Sequence, residues 1–400
     1  MSAYRIFVMN AVSAEGLALF GNKFQLEEQR AAAHGLLVRS SQVKLDEFPK
    51  LEAIARAGAG VNNIPVDEAT EQGICVFNTP GANANAVVEL VFTMLGIWLR
   101  HVPQGLAFCN QLTGLTELQL NAEIEARKKL FRGQELAGKT LGVIGLGQIG
   151  VRAANLGVHH TMRVIGYDPY PVLENIHRLL PEVKLAQSRN EVLAQADYLS
   201  LHVPLNKATA GLVNAEFLEG MKKGAVLLNY ARGPIVDAEA VRTALDADGQ
   251  LAGYLADFPT EKLLGHEKVL FTPHLGASTS ESEEHCTAMA VQELKNYLCS
   301  GTVTHSVNFP NAESIPAAGS CARLIMINRD VPGMIGLASN ILGRHGINIA
   351  SYTNKSNGTI GYNIIDTETP VSPLVQREIE AAEGVIRVRV LPLNSSTSSP

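Results

Sequence analysis

Short apolar runs alternate with longer amphipathic stretches along most of the chain. In the first 97 residues these runs lie at 5–9, 35–38, 53–57 and 74–77, far enough apart for a helix to fit between successive runs. Strands buried on both faces of a parallel sheet show continuous apolar runs of this length, and their crossover connections are usually helical. The pattern therefore predicts an α/β unit with a parallel sheet at the start of the chain.

A second and longer set of apolar runs begins at residue 139. We predict that helices connect these runs and that the whole set forms a complete doubly wound parallel sheet. The predicted strands are 141–144, 164–167, 198–202, 225–229, 254–257 and 269–272. Residues 86–100 are apolar nearly all round and predict a buried helix, whereas 110–132 predicts a solvated helix with a basic end. Residues 281–300 predict a helix that returns the chain to the first unit.

The last hundred residues have a different organisation. Prolines and an Ala-Ala-Gly-Ser run between 302 and 320 indicate a linker, and the pattern that follows fits a βαββαβ module. The final stretch NSSTSSP is polar and low in complexity, which predicts disorder. The fold class is therefore α/β, with two doubly wound parallel-sheet domains and a C-terminal βαββαβ module. The predicted boundaries are 1–97 with 286–310 for the first domain, 98–285 for the second, 311–321 for the linker and 322–394 for the module.

Composition narrows the function. The 400 residues carry a formal net charge of −6 and show no run of Lys and Arg with interleaved aromatics, which argues against a nucleic-acid surface. Five scattered cysteines without a C-x-x-C predict reduced, mostly buried thiols and no metal site. The first residues, MSAYRIFVMN, do not have the pattern expected of a signal peptide, and no apolar run reaches about 18 residues. We expect a soluble, cytoplasmic protein that does not bind a membrane.

The most informative stretch is 139–168. A short apolar strand leads into Gly145, Gly147 and Gly150 at the spacing G-x-G-x-x-G, and a helix and a second strand follow, which ends in Asp168. The first glycine permits a tight turn, the second lets the backbone approach a pyrophosphate, and the third allows close helix–strand packing. An acid after the second strand accepts hydrogen bonds from a ribose and repels a 2′-phosphate, so the pattern favours NAD over NADP. The alternative is an ordinary βα turn.

Three polar clusters follow strands of this second sheet, at 229–234, 257–261 and 272–278. Arg232 in the first cluster could hold a carboxylate through two hydrogen bonds. His274 in the third suits a general base for a hydroxyl proton, and a neighbouring acid such as Glu261 could orient it. We prefer His274 to His202, His266 and His285 because proline precedes it and glycine follows it at a strand end. A structural role for this histidine is the alternative.

These motifs resemble the D-2-hydroxyacid dehydrogenase family. The matching segments are GLGQIG at 145–150, LHVPL at 201–205, NYARGPIVD at 229–237 and TPHLGAST at 272–279. The resemblance implies a Rossmann domain that binds NAD and a flavodoxin-like domain that binds substrate, with Arg232 on the substrate carboxylate, His274 as the acid/base and a supporting Glu. It also implies that Arg39, Ser40 and Asn83 reach the substrate from the first domain. The cofactor-binding set expected is Gly145, Gly147, Gln148, Ile149, Gly150, Asp168, His202, Val203, Pro204, Thr209, Ala231, Asp257 and Gly276.

The resemblance also implies the reaction, which is the oxidation of a phosphorylated 2-hydroxy acid, 3-phosphoglycerate, to 3-phosphohydroxypyruvate, with Arg39 binding the phosphate. This would be the first step of phosphorylated serine biosynthesis. Two alternatives stay open: reduction of another 2-oxo acid (2-oxoglutarate, hydroxypyruvate or glyoxylate), and a non-catalytic NAD-sensing protein. One departure concerns the family's usual D-x-F-x-x-E-P, which is one residue shorter here as DFPTEK, with Lys262 in place of proline. Glu261 is the only acid left for the catalytic role.

The C-terminal segment INRDVPGMIGLASNILGRHGINIASY resembles an ACT domain, a small fold that often binds amino acids between two copies. The resemblance implies a possible amino-acid effector near Asn328, Asp330 and Asn348. Asp330 stands where related domains carry an Asn, so inhibition by serine stays open, and assembly without regulation is the alternative. The resemblance also implies a homodimer through the cofactor domains or a homotetramer joined by the C-terminal modules.

Overall fold

The computed structural model describes residues 3–393, and the predicted disorder at 394–400 lies outside that range. The chain divides into a first unit, Met1–Ala82 with Ser280–Pro400, and a central unit, Asn83–Thr279. The sequence predicts the changes of domain at 97/98 and 285/286, later in the chain in both cases. The earlier positions have a simple cause: each connecting helix belongs entirely to the unit on which its apolar side packs.

The first part of the chain forms a five-stranded parallel sheet with the order β2-β1-β3-β4-β5. Its strands are β1 (Tyr4–Val8), β2 (Phe24–Glu27), β3 (Gly35–Val38), β4 (Ala53–Arg56) and β5 (Cys75–Phe77), with helices α1 (Ala14–Ala18) and α2 (Val66–Glu71). The strand order reverses between β1 and β3, and such a reversal at the carboxyl ends is where α/β sheets bind ligands. β2 was not predicted, because it is an edge strand with a mixed and partly exposed sequence.

The central unit is a seven-stranded parallel sheet with the order β12-β11-β10-β9-β6-β7-β8. Its strands are β6 (Thr140–Ile144), β7 (Arg163–Tyr167), β8 (Val183–Leu185), β9 (Tyr198–Leu201), β10 (Ala225–Asn229), β11 (Leu251–Ala256) and β12 (Val269–Phe271). Its helices are α3 (Ala84–Leu99), α4 (Val102–Asn110), α5 (Glu117–Arg127), α6 (Gln148–His159), α7 (Leu173–Ile176), α8 (Arg189–Gln195), α9 (Ala215–Glu219) and α10 (Ala238–Asp246). The predicted doubly wound sheet is confirmed, with β8 added at the edge, and its order reverses between β6 and β9.

The single solvated helix predicted over 110–132 is wrong in detail. α4 ends at Asn110, the first residue of this segment, and the helix begins again only as α5, which a 3-10 turn, Lys128–Phe131, follows. The break arises because Gly114 takes a φ of 78° and Thr116 starts a new helix with a capping box. No residue of α4, α5 or this turn is buried. Among the described residues no single helix is long and apolar enough to cross a membrane; α3 and α4, bent by 62°, pass that test only as a pair.

The rest of the chain returns to the first unit. It contains α11 (Ser280–Ser300), β13 (Ala322–Arg329), α12 (Met334–Arg344), β14 (Ile349–Ser356), β15 (Ile360–Thr367), α13 (Pro373–Glu380) and β16 (Val385–Pro392). These last strands form an antiparallel sheet with the order β14-β15-β13-β16, so the predicted βαββαβ pattern is confirmed. The predicted linker at 311–321 contains no strand or helix, only a bridge between Val303 and Ala312.

Both faces of this four-stranded sheet are buried. On one face Leu324 and Met326 of β13 pack with apolar residues of α12 and α13. On the other face Ile325 and Ile327 join the same core as Ile6 of β1 and the apolar side of α11. The C-terminal module is therefore built into the first unit, although the sequence predicts a separate domain. The continuous apolar run in β13 is the pattern expected of a strand buried on two sides.

Buried arginines reinforce this shared core. Arg323, fully buried, donates two hydrogen bonds to Asp366, Nε to Oδ1 at 2.7 Å and Nη2 to Oδ2 at 2.9 Å, and a third to the carbonyl of Ser300. Arg389 lies 4.6 Å from the ring centre of Tyr297 and donates to the carbonyls of Tyr297 and Leu298. Cations at the carboxyl end of a helix are favoured by its dipole, so these contacts fix the sheet against the last turn of α11.

Candidate active site

The glycine loop follows β6 and ends at the start of α6. Gly145 has a φ of 92°, and a Cβ there would lie 2.5 Å from the carbonyl oxygen of His202. A Cβ on Gly150 would collide with the carbonyl oxygen of Gly145, whereas one on Gly147 would meet no atom within 4 Å. Two of the glycines are thus required by the fold itself, and the third faces open space at the amino end of α6, where a phosphate is favoured.

Asp168 directly follows β7. Its two carboxylate oxygens accept the backbone N–H groups of Leu146 and Tyr170, each at 2.8 Å. The first of these bonds ties the acid to the glycine loop. Each carboxylate oxygen can accept a second hydrogen bond, so the side chain is positioned for a ribose hydroxyl as well.

His202 follows β9, the strand beside β6. Its Nε2 lies 2.9 Å from the hydroxyl of Ser200, and its buried Nδ1 has no hydrogen-bond partner within residues 3–393. Burial lowers the pKa of His202 to about 4, so the ring is neutral near pH 7. Val203 and Pro204 come next, and Thr209 donates its hydroxyl to the Pro204 carbonyl at 2.5 Å. Gln148, at the start of α6 beside Ile149, instead bonds to Asn175.

Arg232 lies three residues beyond β10, directly after the buried Ala231. Asn229, fully buried at the end of that strand, donates to the Arg232 carbonyl at 2.9 Å and accepts from the Ala231 N–H. The guanidinium donates to the Ala231 carbonyl and pairs with no carboxylate in the described part of the chain. Burial lowers the pKa of Arg232, but arginine remains charged at any ordinary pH. The site therefore offers a partly buried cation that can bind an anion.

The loop that carries His274 is held by Asp257. This carboxylate, 1% exposed, accepts the Thr272 hydroxyl and the backbone N–H groups of Leu275 and Gly276, both at 2.7 Å. His274 itself has a φ of 58°, a left-handed conformation that is unusual for a non-glycine residue. Its exposed ring lies 4.9 Å from that of Phe258. The backbone is thus fixed while the imidazole stays accessible.

Backbone hydrogen bonds connect the three strand ends. The N–H of Asp257 donates to the Asn229 carbonyl at 3.2 Å, and the N–H of His274 donates to the Asp257 carbonyl at 3.0 Å. Because β10, β11 and β12 are neighbours in the sheet, Arg232 and His274 lie at the same edge. Glu261, by contrast, lies on an exposed turn and forms no hydrogen bond or ion pair with His274 or any other described residue. The structure does not bring together this predicted pair.

The substrate residues expected from the first domain are divided between the two units. Arg39 and Ser40 follow β3, where the Oδ1 of Asn10 accepts both of their N–H groups at 3.1 Å. The Arg39 guanidinium is paired with Glu283, Nη2 to Oε1 at 2.6 Å. Asn83 belongs to the central unit, just before α3, and its buried Oδ1 has no partner among residues 3–393.

The three expected effector residues do not meet within one chain. Asn328, 2% exposed, is bonded to Asn363, and Asp330 accepts the hydroxyl of Ser356. Asn348 is exposed and precedes β14, whose first residue pairs with the last residue of β15. Asn328 instead pairs near the first residue of β15, so the two ends are about 20 Å apart along the sheet.

Known proteins share this sequence and fold. The model of the D-isomer specific 2-hydroxyacid dehydrogenase, NAD binding domain, matches residues 104–276. A D-3-phosphoglycerate dehydrogenase of Haemophilus influenzae is 33% identical over 364 residues, 87% of this chain and 83% of the relative. The chain belongs to the D-isomer specific 2-hydroxyacid dehydrogenase family. Another D-3-phosphoglycerate dehydrogenase, from Escherichia coli, is 33% identical over 386 residues, which cover 92% of this chain and 89% of the relative.

A solved member of the same structural group is the NAD+-bound 3-phosphoglycerate dehydrogenase of Entamoeba histolytica. It is 26% identical, with a TM-score of 0.61 over 77% of this chain and 99% of its own. The resemblance, the fold class and NAD as the cofactor are thereby confirmed. As a 2-hydroxyacid dehydrogenase, the chain has its NAD-binding domain in the central unit.

The structure fits that cofactor at particular atoms. The space over Gly147 leaves room for the pyrophosphate at the amino end of α6, and Asp168 has free acceptor capacity for the ribose. His202 adjoins the same loop, since a Cβ on Gly150 would lie 3.4 Å from the His202 Cβ, and the buried Nδ1 of His202 has no hydrogen-bond partner within residues 3–393. A buried polar atom without a partner is costly, and a bound ligand would supply the missing hydrogen bond.

Sequence reasoning assigned no role to three supporting residues of this dehydrogenase. Asn10 holds the Arg39 loop, Asn229 holds the Arg232 loop, and Glu283 pairs with Arg39. Asn229 could have been found, because it is a buried asparagine at the end of an apolar strand. The other two act across long separations in sequence, and no local signal marks them.

Proposed function

We propose that the chain oxidises the C2 hydroxyl of 3-phospho-D-glycerate to the ketone of 3-phosphohydroxypyruvate, with NAD as the hydride acceptor. The observation that carries the proposal is the partly buried Arg232, without a carboxylate partner among the described residues, at the same sheet edge as the accessible His274. Two relatives at 33% identity, each covered over most of its length, carry the name of this activity. If this chain has the activity that names these relatives, its product would enter serine biosynthesis.

Arg232 binds the substrate carboxylate through its planar fork and so fixes C2 beside the imidazole. His274 accepts the proton of the C2 hydroxyl on an imidazole nitrogen as the carbon becomes a carbonyl. Bound NAD supplies the electrophilic carbon that takes the hydride. Arg39 and Ser40 are the proposed ligands of the phosphate. Asp257 acts through the backbone, because its bonds to the His274 loop keep the base in place.

Glu261 remains the proposed partner of His274. A carboxylate beside the imidazole would favour its protonated form and help it to hold the transferred proton. The turn that carries Glu261 would have to move for the two side chains to meet, since they form no hydrogen bond or ion pair in the present conformation. Glu261→Gln then lowers kcat and shifts its pH profile, whereas a surface role leaves both unchanged.

The direct test is an absorbance assay for NADH formation with purified protein. 3-Phosphoglycerate is compared with D-glycerate and D-2-hydroxyglutarate, and the reverse reaction is run with hydroxypyruvate, glyoxylate and 2-oxoglutarate. We expect the highest kcat/KM with the phosphorylated substrate. A higher value with an unphosphorylated acid supports the second candidate, a general 2-oxo acid reductase, which the Arg39–Glu283 ion pair favours because it already neutralises the proposed phosphate ligand. NAD binding without turnover of any acid supports the NAD-sensing alternative.

Assembly and location are part of the same proposal. Leu106 and Leu118 of α4 and α5 are 60% and 83% exposed on a segment with no buried residue, which suits a contact with a second copy. We therefore expect a homodimer or homotetramer in the cytoplasm. An amino-acid effector would have to bind between C-terminal modules of two copies, because its expected ligands are far apart in one chain. Light scattering with and without serine tests both points.

A further inference from the structure

The arginine proposed for the substrate phosphate already has an anionic partner. Arg39 Nη2 lies 2.6 Å from Glu283 Oε1, and the two side chains are 34% and 39% exposed. Glu283 belongs to the acidic first turn of α11. Any substrate anion that binds the Arg39 guanidinium therefore lies close to the Glu283 carboxylate, which is already bound to it.

The position of Arg39 is fixed from its backbone outward. The Oδ1 of Asn10 accepts the N–H groups of Arg39, Ser40 and Ser41, each at 3.1 Å, and the Asn10 amide donates to the Ser41 hydroxyl. The Arg39 carbonyl accepts from Arg56 Nε at 3.0 Å. With the backbone held on both sides, the guanidinium cannot leave Glu283 by moving the whole loop. The guanidinium can separate from Glu283 only if the Arg39 side chain rotates to another conformation.

A guanidinium has five N–H donors, so one carboxylate does not exhaust it. A second anion can bind the remaining N–H groups, but it then lies within a few ångströms of the Glu283 carboxylate. The resulting repulsion grows with the charge of the incoming group: it is largest for a phosphate dianion, smaller for a carboxylate and absent for a neutral hydroxymethyl. Partial exposure of both residues weakens this repulsion without removing it.

We propose that Glu283 is a specificity-determining residue, which lowers the affinity of the Arg39 position for dianionic substrate tails relative to singly charged or neutral ones. This inference rests on the proposed function, since it assumes that the substrate tail contacts Arg39. It makes substrate choice in this chain depend on a charge that lies outside the Arg232 and His274 loops.

The experiment compares Glu283→Gln with Glu284→Gln. In the first variant the new side-chain amide can still accept a hydrogen bond from Arg39, so the charge is removed and the contact is kept. Glu284 is exposed on the same helix and forms no hydrogen bond or ion pair with a described residue, so the second variant removes an equal charge away from Arg39. Glu283→Ala serves as a further variant that removes charge and contact together, and circular dichroism verifies the fold of all three.

For each protein, KM and kcat are measured with 3-phosphoglycerate, D-2-hydroxyglutarate and D-glycerate. We expect Glu283→Gln to lower KM for the phosphorylated substrate about five- to tenfold relative to the neutral one, with a smaller change for the dicarboxylate. Because the charge acts on binding, kcat should stay within about twofold. Glu284→Gln should leave the KM ratios at the parental values.

An unchanged or higher KM ratio in Glu283→Gln overturns the inference, as does an equal shift in Glu284→Gln. Calorimetric titration of the NAD-loaded enzyme with 3-phosphoglycerate and D-glycerate separates this inference from the proposed function. If no acid is oxidised but Glu283→Gln still tightens binding of the phosphorylated ligand selectively, the proposed function fails and the role of Glu283 stands. If turnover is normal and the two titrations change equally, only the role of Glu283 fails.

Discussion

Arg232 and Arg323 carry the same side chain in two regions with opposite surroundings. Arg323, on the four-stranded sheet, is fully buried and has its donors committed to Asp366 and to backbone carbonyls. Arg232, at the edge of the central sheet, is partly buried and donates to a neighbouring carbonyl. The region around Arg232 also contains an unpartnered His202 nitrogen, whereas Asn363 beside β13 is bonded to Asn328 and to a backbone carbonyl. The two arginines therefore differ in how many of their donors are left for a ligand: those of Arg323 are committed to the fold, whereas Arg232 keeps most of its donors available.

The largest effect expected from this contrast is on turnover. His274→Ala should lower kcat about 10²- to 10⁴-fold while the NAD dissociation constant changes little, because the variant loses only the proton acceptor. Steady-state kinetics and a fluorescence titration with NADH measure the two quantities. His266→Gln is the matched control, because the His266 ring is hydrogen-bonded to Asp246 and is not proposed to contact substrate. We expect this variant to keep its kcat. Undiminished turnover in His274→Ala would remove the proposed base.

The next effect concerns stability in the other region. Arg323→Met leaves the Asp366 carboxylate buried without its cation, which should destabilise the first unit by about 3–5 kcal/mol. Urea unfolding is followed by circular dichroism and by fluorescence of Trp98, the sole tryptophan, which lies in the central unit. We expect the first signal to shift to lower urea and the Trp98 signal to stay.

The double variant Arg323→Met with Asp366→Leu is the control, because it removes both charges and should recover most of the lost stability. If the Trp98 transition shifts as far as the circular dichroism transition, the prediction that Arg323→Met destabilises only the first unit is contradicted.

A third effect is a pH dependence that originates at His202. In the unfolded chain histidine titrates near its usual pKa of roughly 6.5, whereas burial lowers it to about 4 in the folded protein. Between these values the unfolded state binds a proton that the folded state excludes. The free energy of unfolding therefore falls as pH drops from about 6.5 to 4, by up to about 3 kcal/mol, and is unaffected above that window.

His202→Gln should flatten this slope in the Trp98 unfolding midpoint, whereas His177→Gln, which changes an exposed histidine of the same unit, should keep it. An identical slope in both variants would show that another group is responsible.

The smallest expected effect is a difference between alanine substitutions at Gly147 and Gly150, two glycines of the same loop. Gly147 has a φ of −76° and open space around it, so Gly147→Ala should keep the melting temperature and raise the NAD dissociation constant about tenfold, roughly 1.4 kcal/mol. Gly150→Ala should instead lower the melting temperature, because its Cβ meets the Gly145 backbone. Thermal melts with and without NAD distinguish the two, and equal melting temperatures for both variants would contradict these assignments.

Most strands and the glycine loop could be predicted from the sequence, because each depends on residues that are close together in the chain. Strands buried on two faces appear as continuous apolar runs, and β3 and β10 coincide with their predicted bounds. The glycine loop is predictable because only glycine tolerates the backbone at Gly145 and the close approach at Gly150. The short edge strands β2 and β8 were not predicted, because three or four partly exposed residues do not form a recognisable hydrophobic run.

The remaining features depend on residues far apart in the chain. The pairing of Arg39 with Glu283 and the bond from Asn10 to the Arg39 loop form only after folding. The predicted contact of Glu261 with His274 rested on a motif that is one residue shorter here, and a shift of one residue is enough to turn a side chain away on a short turn. The prediction of a separate C-terminal domain rested on the linker composition of 302–320, whereas β13 packs on both faces and the structure groups this segment with the first unit.

The core shared by β1, α11 and β13 also sets an order of events during synthesis. A ribosome releases the whole of the central unit, through Thr279, before the chain that completes the first unit exists. At roughly 5–20 residues per second, the sheet made from the first 82 residues waits several seconds or longer with its apolar side uncovered. A nascent polypeptide of this kind is a natural client for chaperones that shield such surfaces until translation ends.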